Sequence, residues 1–232
     1  MKKSNKILLG ILLTAFLVLT SIHVALYAKF KRGRYTAYEE VEQPENLQTR
    51  SLQHIRYIRV KNIGLVALYA TDSAGMSFDK GYADQLSFAA NGDTLIVAAA
   101  DAANQERTGN YGINLYVGNG LHLTFENTSV QLQEVQGSDR QLTLELDSAR
   151  LITSEVNRKK DLQLAALTIA ARNHSEINLH TVRVDQLNVS LQQSFLTEDK
   201  STIAQLVLQA DPESRISLSA PNFFNAHKKT AE

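Results

Sequence analysis

The chain has 232 residues, 24 basic and 24 acidic side chains, and neither cysteine nor tryptophan. That length accommodates one well-buried domain plus an accessory segment, and the missing cysteine excludes disulfides, thiolate metal centres and a diacylglyceryl anchor. The zero net charge conceals an asymmetry: residues 1–34 hold seven basic and no acidic residues, leaving 17 basic against 24 acidic, a net of −7, in the remainder, which is poorly suited to nucleic acid or anionic lipid.

Ile7 to Ala28 is a run of 22 uncharged residues, "ILLGILLTAFLVLTSIHVALYA". As a helix it would extend about 33 Å, close to the hydrocarbon thickness of a bilayer. The expected membrane anchor includes Ile7, Leu12, Phe16, Leu19 and Leu26, with Tyr27, Lys29, Lys31, Arg32 and Arg34 at the interface. The alternative is a cleaved signal and export. Against cleavage, the apolar run exceeds the usual signal core, and Leu26 occupies the −3 position of the best cut after Ala28. The basic flanks are nearly balanced, so orientation rests on the usual layout of a long acidic body behind one N-terminal anchor. The expectation is a single-pass inner-membrane protein, residues 1–34 forming the signal-anchor, with its C-terminal domain in the periplasm.

Residues 35–53 contain Pro44 and keep neither a strand nor a helix period, which predicts a polar linker. From residue 54 apolar side chains recur at every second position in short runs bounded by Asn, Asp, Gly and Ser. Between two such runs, Asn91-Gly92-Asp93 predicts a tight hairpin turn, because Asn and Gly tolerate positive φ.

Beyond residue 120 the pattern becomes repetitive. Leu121, Leu142, Leu167, Leu187 and Leu206 each open an L-x-aliphatic pair, at spacings of 21, 25, 20 and 19. Nine or ten residues after each comes a second apolar position: Val130, Leu151, Ile177, Leu196 and Ile216. Polar corners separate the two, as in "ENTS" at 126–129 and "NHS" at 173–175. A period near 20 built only of strands and corners predicts a parallel β-solenoid over residues 54–220, each coil resting its apolar edge on the next. An antiparallel β-sandwich is the alternative, since it also produces short alternating strands. The two differ in pairing: a solenoid joins residue i to about i+20 in parallel, a sandwich joins hairpin neighbours. Residues 221–232 are expected to cap the open end, with Pro221 stopping the ladder and Phe223-Phe224 plugging the core.

No catalytic, cofactor-binding or metal-ligating set emerges. Alignment of the corners places Asp147, His174, Gln193 and Asp211 in register, a mixed group better explained as solvated turns than as a carboxylate cluster. His122 takes an outward alternation position, and His174 and His180 straddle a strand without ligand spacing. "VGNG" at 117–120 lacks the lysine and helix of a phosphate loop and is a turn. Arg158, Lys159 and Lys160 form a basic run within the body, a candidate weak contact for anionic envelope polymer.

The succession "IRYIRVKNIGLVALYATD", "YADQLSFAANGDTLIVAAAD", "INLYVGNGLHLTFENTSVQL" and coils of the "LTLELDSARL" type resembles the auto-transporter adhesin head GIN domain family over about residues 54–220. The resemblance implies a right-handed parallel β-helix or β-roll, common in the envelope of Bacteroidetes-type bacteria, without an established activity. It departs from that family in Gln/Asn/Leu-rich rather than Gly/Ser-rich coils and in a leader that reads as retained. The functional expectation is a non-enzymatic, adhesin-like envelope protein presenting a β-helical surface to protein or glycan. A lipid-handling bridge component with an open apolar groove is the alternative.

Overall fold

The computed structural model describes Thr20 and residues 46–99, 112–153, 162–224 and 226–230. Both the expected anchor (Ile7, Leu12, Phe16, Leu19, Leu26, Tyr27, Lys29, Lys31, Arg32, Arg34) and the basic run Arg158, Lys159 and Lys160 lie outside the described residues. Among the described residues no helix is long and apolar enough to cross a membrane.

The described body is all-β, and its strands form two mixed sheets that do not close on themselves. The first sheet runs, edge to edge, β1 (Leu47–Ser51), β4 (Gly75–Asp79), β7 (Gly112–Val117), β3 (Leu65–Ala70), β9 (Ser129–Val135), β11 (Arg150–Thr153), β13 (Glu176–His180), β15 (Phe195–Asp199) and β17 (Arg215–Ser217). The second runs β5 (Leu86–Asn91), β6 (Thr94–Ala99), β2 (Tyr57–Lys61), β8 (His122–Glu126), β10 (Gln141–Asp147), β12 (Leu162–Arg172), β14 (Val182–Leu191), β16 (Thr202–Ala210) and β18 (Ala226–Thr230). From β8 onward the chain alternates between the sheets, and every described pairing of these strands is parallel. Antiparallel pairs are confined to β1–β4–β7 and to the β5–β6 hairpin.

The two leucine series are the reason for this register. Leu142 lies opposite Leu167, Leu167 opposite Leu187, and Leu187 opposite Leu206 in the second sheet. In the first sheet Val130, Leu151, Ile177, Leu196 and Ile216 form the matching column. All of these except Ile216 are at most 3% exposed and belong to one apolar core shared by both sheets. Burying each aliphatic side chain contributes about 1.5–3 kcal/mol, and a one-residue slip would turn a whole strand's apolar set to solvent. The register is therefore strongly specified.

The corners make the alternation between sheets possible. Asn62, Asn127, Ser148, Asn173, His174 and Gln193 all have positive φ, between 48° and 61°, which reverses the chain within two or three residues. A buried or half-buried hydroxyl follows at several corners and reaches toward the preceding corner. Thr128 Oγ1 accepts from Ile63 N at 3.4 Å, Ser175 Oγ from Ala149 N at 3.1 Å, and Ser214 Oγ from Ser194 N at 3.1 Å. The same hydroxyls of Thr128 and Ser175 donate to the carbonyls of Glu126 and Arg172. Each corner thus satisfies a backbone donor that two-sheet packing would otherwise strand.

Gly92 has φ +61° and lies between Asn91 and Thr94, which pair directly across the hairpin, so the predicted turn is present. The expected linker differs in extent, because β1 occupies Leu47–Ser51 within it. Its Arg50 guanidinium lies 3.9 Å from the Phe88 ring centroid, and Phe88 stacks on Phe78 across the two sheets. This cation–π group covers the core beside the edge strands β1 and β5.

At the opposite edge the expected plug is corrected. Pro221 lies in a short helix, α1 (Ala220–Phe224), and Phe223 is 65% exposed instead of filling the core. The inward residue of that segment is Asn222, at 2% exposure. Its Oδ1 accepts from Ile203 N, and its Nδ2 donates to the Ser201 carbonyl. The Asn222 amide thus bridges a strand N–H and the carbonyl at the entry to β16.

Candidate interaction surface

In-register parallel pairing turns the alternation of each strand into rows across the sheet. On the outer face of the second sheet one row runs Thr94, Tyr57, His122, Thr143, Thr168, Asn188 and Val207, neighbour by neighbour. Tyr57 and His122 stack, with ring centroids 5.3 Å apart and planes 20° from parallel. Tyr57 is 48% exposed, one of only three large hydrophobic side chains so open among the described residues. Threonines flank the aromatic pair in the row on both sides.

Two residues further along the strands is a second row, in which Glu145 stands beside Thr124 and accepts from its hydroxyl at 3.4 Å. A third row lies at the corner edge and is fully charged: Lys61, Glu126, Asp147 and Arg172. Glu126 and Asp147 are direct neighbours, so each needs its own cation. Glu126 pairs with Arg59 and with Lys61 Nζ at 2.9 Å, and Asp147 Oδ2 with Arg172 Nε at 3.0 Å. Burial pushes the Glu126 carboxyl upward, but hydrogen bonds and charge from Lys61 and Arg59 outweigh it and hold the group below its usual range. Asp147 is held low first by the Asn173 amide and then by Arg172, against a smaller effect of burial. Both are ionised carboxylates, each screened by its own cations. Neither is a proton donor at neutral pH.

Of the four aligned corner residues three are adjacent, His174 N donating to the Gln193 carbonyl and Gln193 N to Asp211 Oδ2, each at 2.9 Å, and Asp147 is displaced from them. Asp147 stands opposite Arg172, where the sequence alignment puts His174. The cause is an extra residue: Asn173 and His174 both take positive φ in one corner, whereas the preceding corner uses Ser148 alone. Asp211 turns its oxygens to Ser214 and to Gln193 N, and is held low first by the Ser214 hydroxyl. His122 is outward, as its alternation position predicts, and His180 Nδ1 lies 3.5 Å from Asp199. Among the described residues no three histidine or carboxylate side chains converge on a metal position.

Sequence reading missed the pairing of Tyr57 with His122, which are 65 residues apart. The signal was present. "YIRVKN" at 57–62 and "HLTFEN" at 122–127 share alternation and end in a corner asparagine, and Asn127 Nδ2 donates to Asn62 Oδ1 at 3.0 Å.

The described fold has counterparts among solved structures. A "putative adhesin" from Parabacteroides distasonis superposes with a TM-score of 0.51 at 10% identity, covering 79% of this chain and 77% of that one. A "putative adhesin" from Bacteroides fragilis matches at 10% identity with a TM-score of 0.43, over 79% of this chain and 94% of the other. A "putative lipid binding protein" from Parabacteroides distasonis matches at 14% identity with a TM-score of 0.34, over 81% and 97%. No family model matches the sequence. No curated protein matches it either. At such identities the first of these likenesses speaks for the fold alone.

Proposed function

We propose that the chain is a membrane-anchored, non-enzymatic envelope protein that presents the outer face of its second sheet to protein or glycan in the periplasm. The observation that carries this reading is the row from Thr94 to Asn188 on that face, uncharged and extended across successive parallel strands. Parallel pairing at separations of 19 to 25 residues also supports reading the strands from β8 onward as turns of a β-solenoid of the GIN-domain type. Non-enzymatic character draws support from Glu126 and Asp147, each engaged with cations, and weakly from the adhesin names of the structural neighbours.

Lipid handling is the weaker reading. An acyl groove needs small residues along one inner wall, whereas inward positions such as Phe125, Leu144, Leu167 and Ile177 are large and at most 1% exposed. Alkaline carbonate extraction of membranes, followed by N-terminal sequencing, tests the anchor. The full chain is expected in the pellet with its original N-terminus. Release into the supernatant with a new N-terminus near Lys29 would refute it.

A further inference from the structure

We propose that the Tyr57–His122 pair is the seat of a subsite for a neutral polysaccharide, whose pyranose rings lie against the outer ring faces. The proposal rests on the reading of the second sheet as an interaction face and narrows its partner to one class. Three observations carry it. First, the pair is exposed and stacked, so the two rings present one outer face toward Thr94 and the other toward Thr143. An aromatic face flanked by small hydroxylated residues leaves a notch as deep as the ring is tall. The apolar C–H face of a pyranose fits against such a plate, while its equatorial hydroxyls need donors and acceptors at the rim.

Second, those rim groups are present. Thr143 lies beside His122 in the row, and Glu145, exposed two residues along β10, offers a carboxylate on the same side. A carboxylate oxygen pair can accept from two vicinal sugar hydroxyls, giving charge-assisted hydrogen bonds stronger than neutral ones. Further along, Thr168 and Asn188 continue the row with a hydroxyl and an amide, both able to donate and accept.

Third, charge selects the class of polymer. The row from Thr94 to Asn188 contains no lysine, arginine or carboxylate, and the chain beyond residue 34 carries a net −7. An anionic polymer would be repelled by the body and find no cation in the row to hold it. Beyond the aromatic pair the row supplies hydroxyls and an amide before it reaches Val207, groups that match sugar hydroxyls.

The test uses the detergent-solubilised full chain and a panel of neutral hexasaccharides (β-1,4-linked glucose, xylose and N-acetylglucosamine, and α-1,4-linked glucose), with alginate as the anionic comparator. Binding is followed by calorimetry and by saturation-transfer NMR. At least one neutral hexasaccharide is expected to bind, with Tyr57→Ala and Glu145→Gln each weakening it at least tenfold. Ser217→Ala, on the other sheet, is expected to leave affinity unchanged. Circular dichroism melts separate lost binding from lost fold, and the exposure of Tyr57 predicts an unchanged melt. Absence of neutral-glycan binding at millimolar ligand, binding of alginate alone, or binding insensitive to Tyr57→Ala would each overturn the proposal. In vivo cross-linking from an azido-phenylalanine placed at Thr168 distinguishes the two levels: capture of a protein partner without glycan binding defeats the glycan subsite but leaves the interaction face standing. Failure of both defeats both.

Discussion

Replacing Glu198 by glutamine tests whether a buried charge holds the last described turn together. Alternation along β15 points Glu198 inward, opposite Leu179, and it is only 4% exposed. Its Oε1 accepts from Ser201 N at 2.9 Å, and its Oε2 from Ser219 N at 2.9 Å and Ser219 Oγ at 2.7 Å. One carboxylate thus ties the exit of β15, the entry to β16 and the approach to α1. Burial alone would raise its pKa, but hydrogen bonds from Asn222, Ser219 and Ser201 outweigh that and hold it below the usual 4.5. Glutamine keeps the shape but replaces one acceptor with a donor, which must face an N–H. Hydrogen bonds to a charged group contribute about 1.5–3 kcal/mol each, and a stranded buried donor costs about 1–3 kcal/mol, so Glu198→Gln should lose about 2–4 kcal/mol at neutral pH. Because the folded-state pKa is depressed, this stability is present above the unfolded value and is lost as pH falls through the folded one. Urea unfolding of both proteins from neutral pH to below 4.5 is the assay, and the other carboxylates cancel in the difference. Equal midpoints at neutral pH would refute the argument, as would a gap that stays constant on acidification.

The remaining predictions address the core, the corners and the hairpin. Leu167→Ala removes a fully buried member of the central column and should cost about 2–5 kcal/mol in chemical denaturation; a loss under about 1 kcal/mol would argue that the column is not tightly packed. Ser175→Ala leaves the Ala149 amide without its acceptor, for an expected loss of about 1–3 kcal/mol, together with faster hydrogen exchange at Ala149 by NMR; unchanged exchange there would count against the corner hydroxyl as its partner. Gly92→Ala has open space around the new Cβ but must adopt φ +61°, so it should cost about 1–2 kcal/mol from the backbone alone. A melt identical to the parent would mean that the turn is not left-handed.

The sequence by itself determined what depends on local alternation and short repeats. The columns Leu142–Leu167–Leu187–Leu206 and Val130–Leu151–Ile177–Leu196–Ile216 follow from apolar spacing, because only one register buries every member at once. The Asn91-Gly92 hairpin was legible for the same reason: a positive φ is needed at one residue, and glycine supplies it. Only the tertiary structure decided that β2 and β3 lie beside β8 and β9, 65 residues later in the chain, while the intervening β6 and β7 pair on the far side. Nothing local specifies that arrangement, since closing so long an excursion costs little more than closing a shorter one and the choice rests on which apolar faces match. The inward Glu198 and Asn222 and the outward Phe223 have the same origin. Glu198 and Asn222 are inward because they meet the backbone N–H groups of Ser201, Ile203 and Ser219, which come together only once the neighbouring strands are in place.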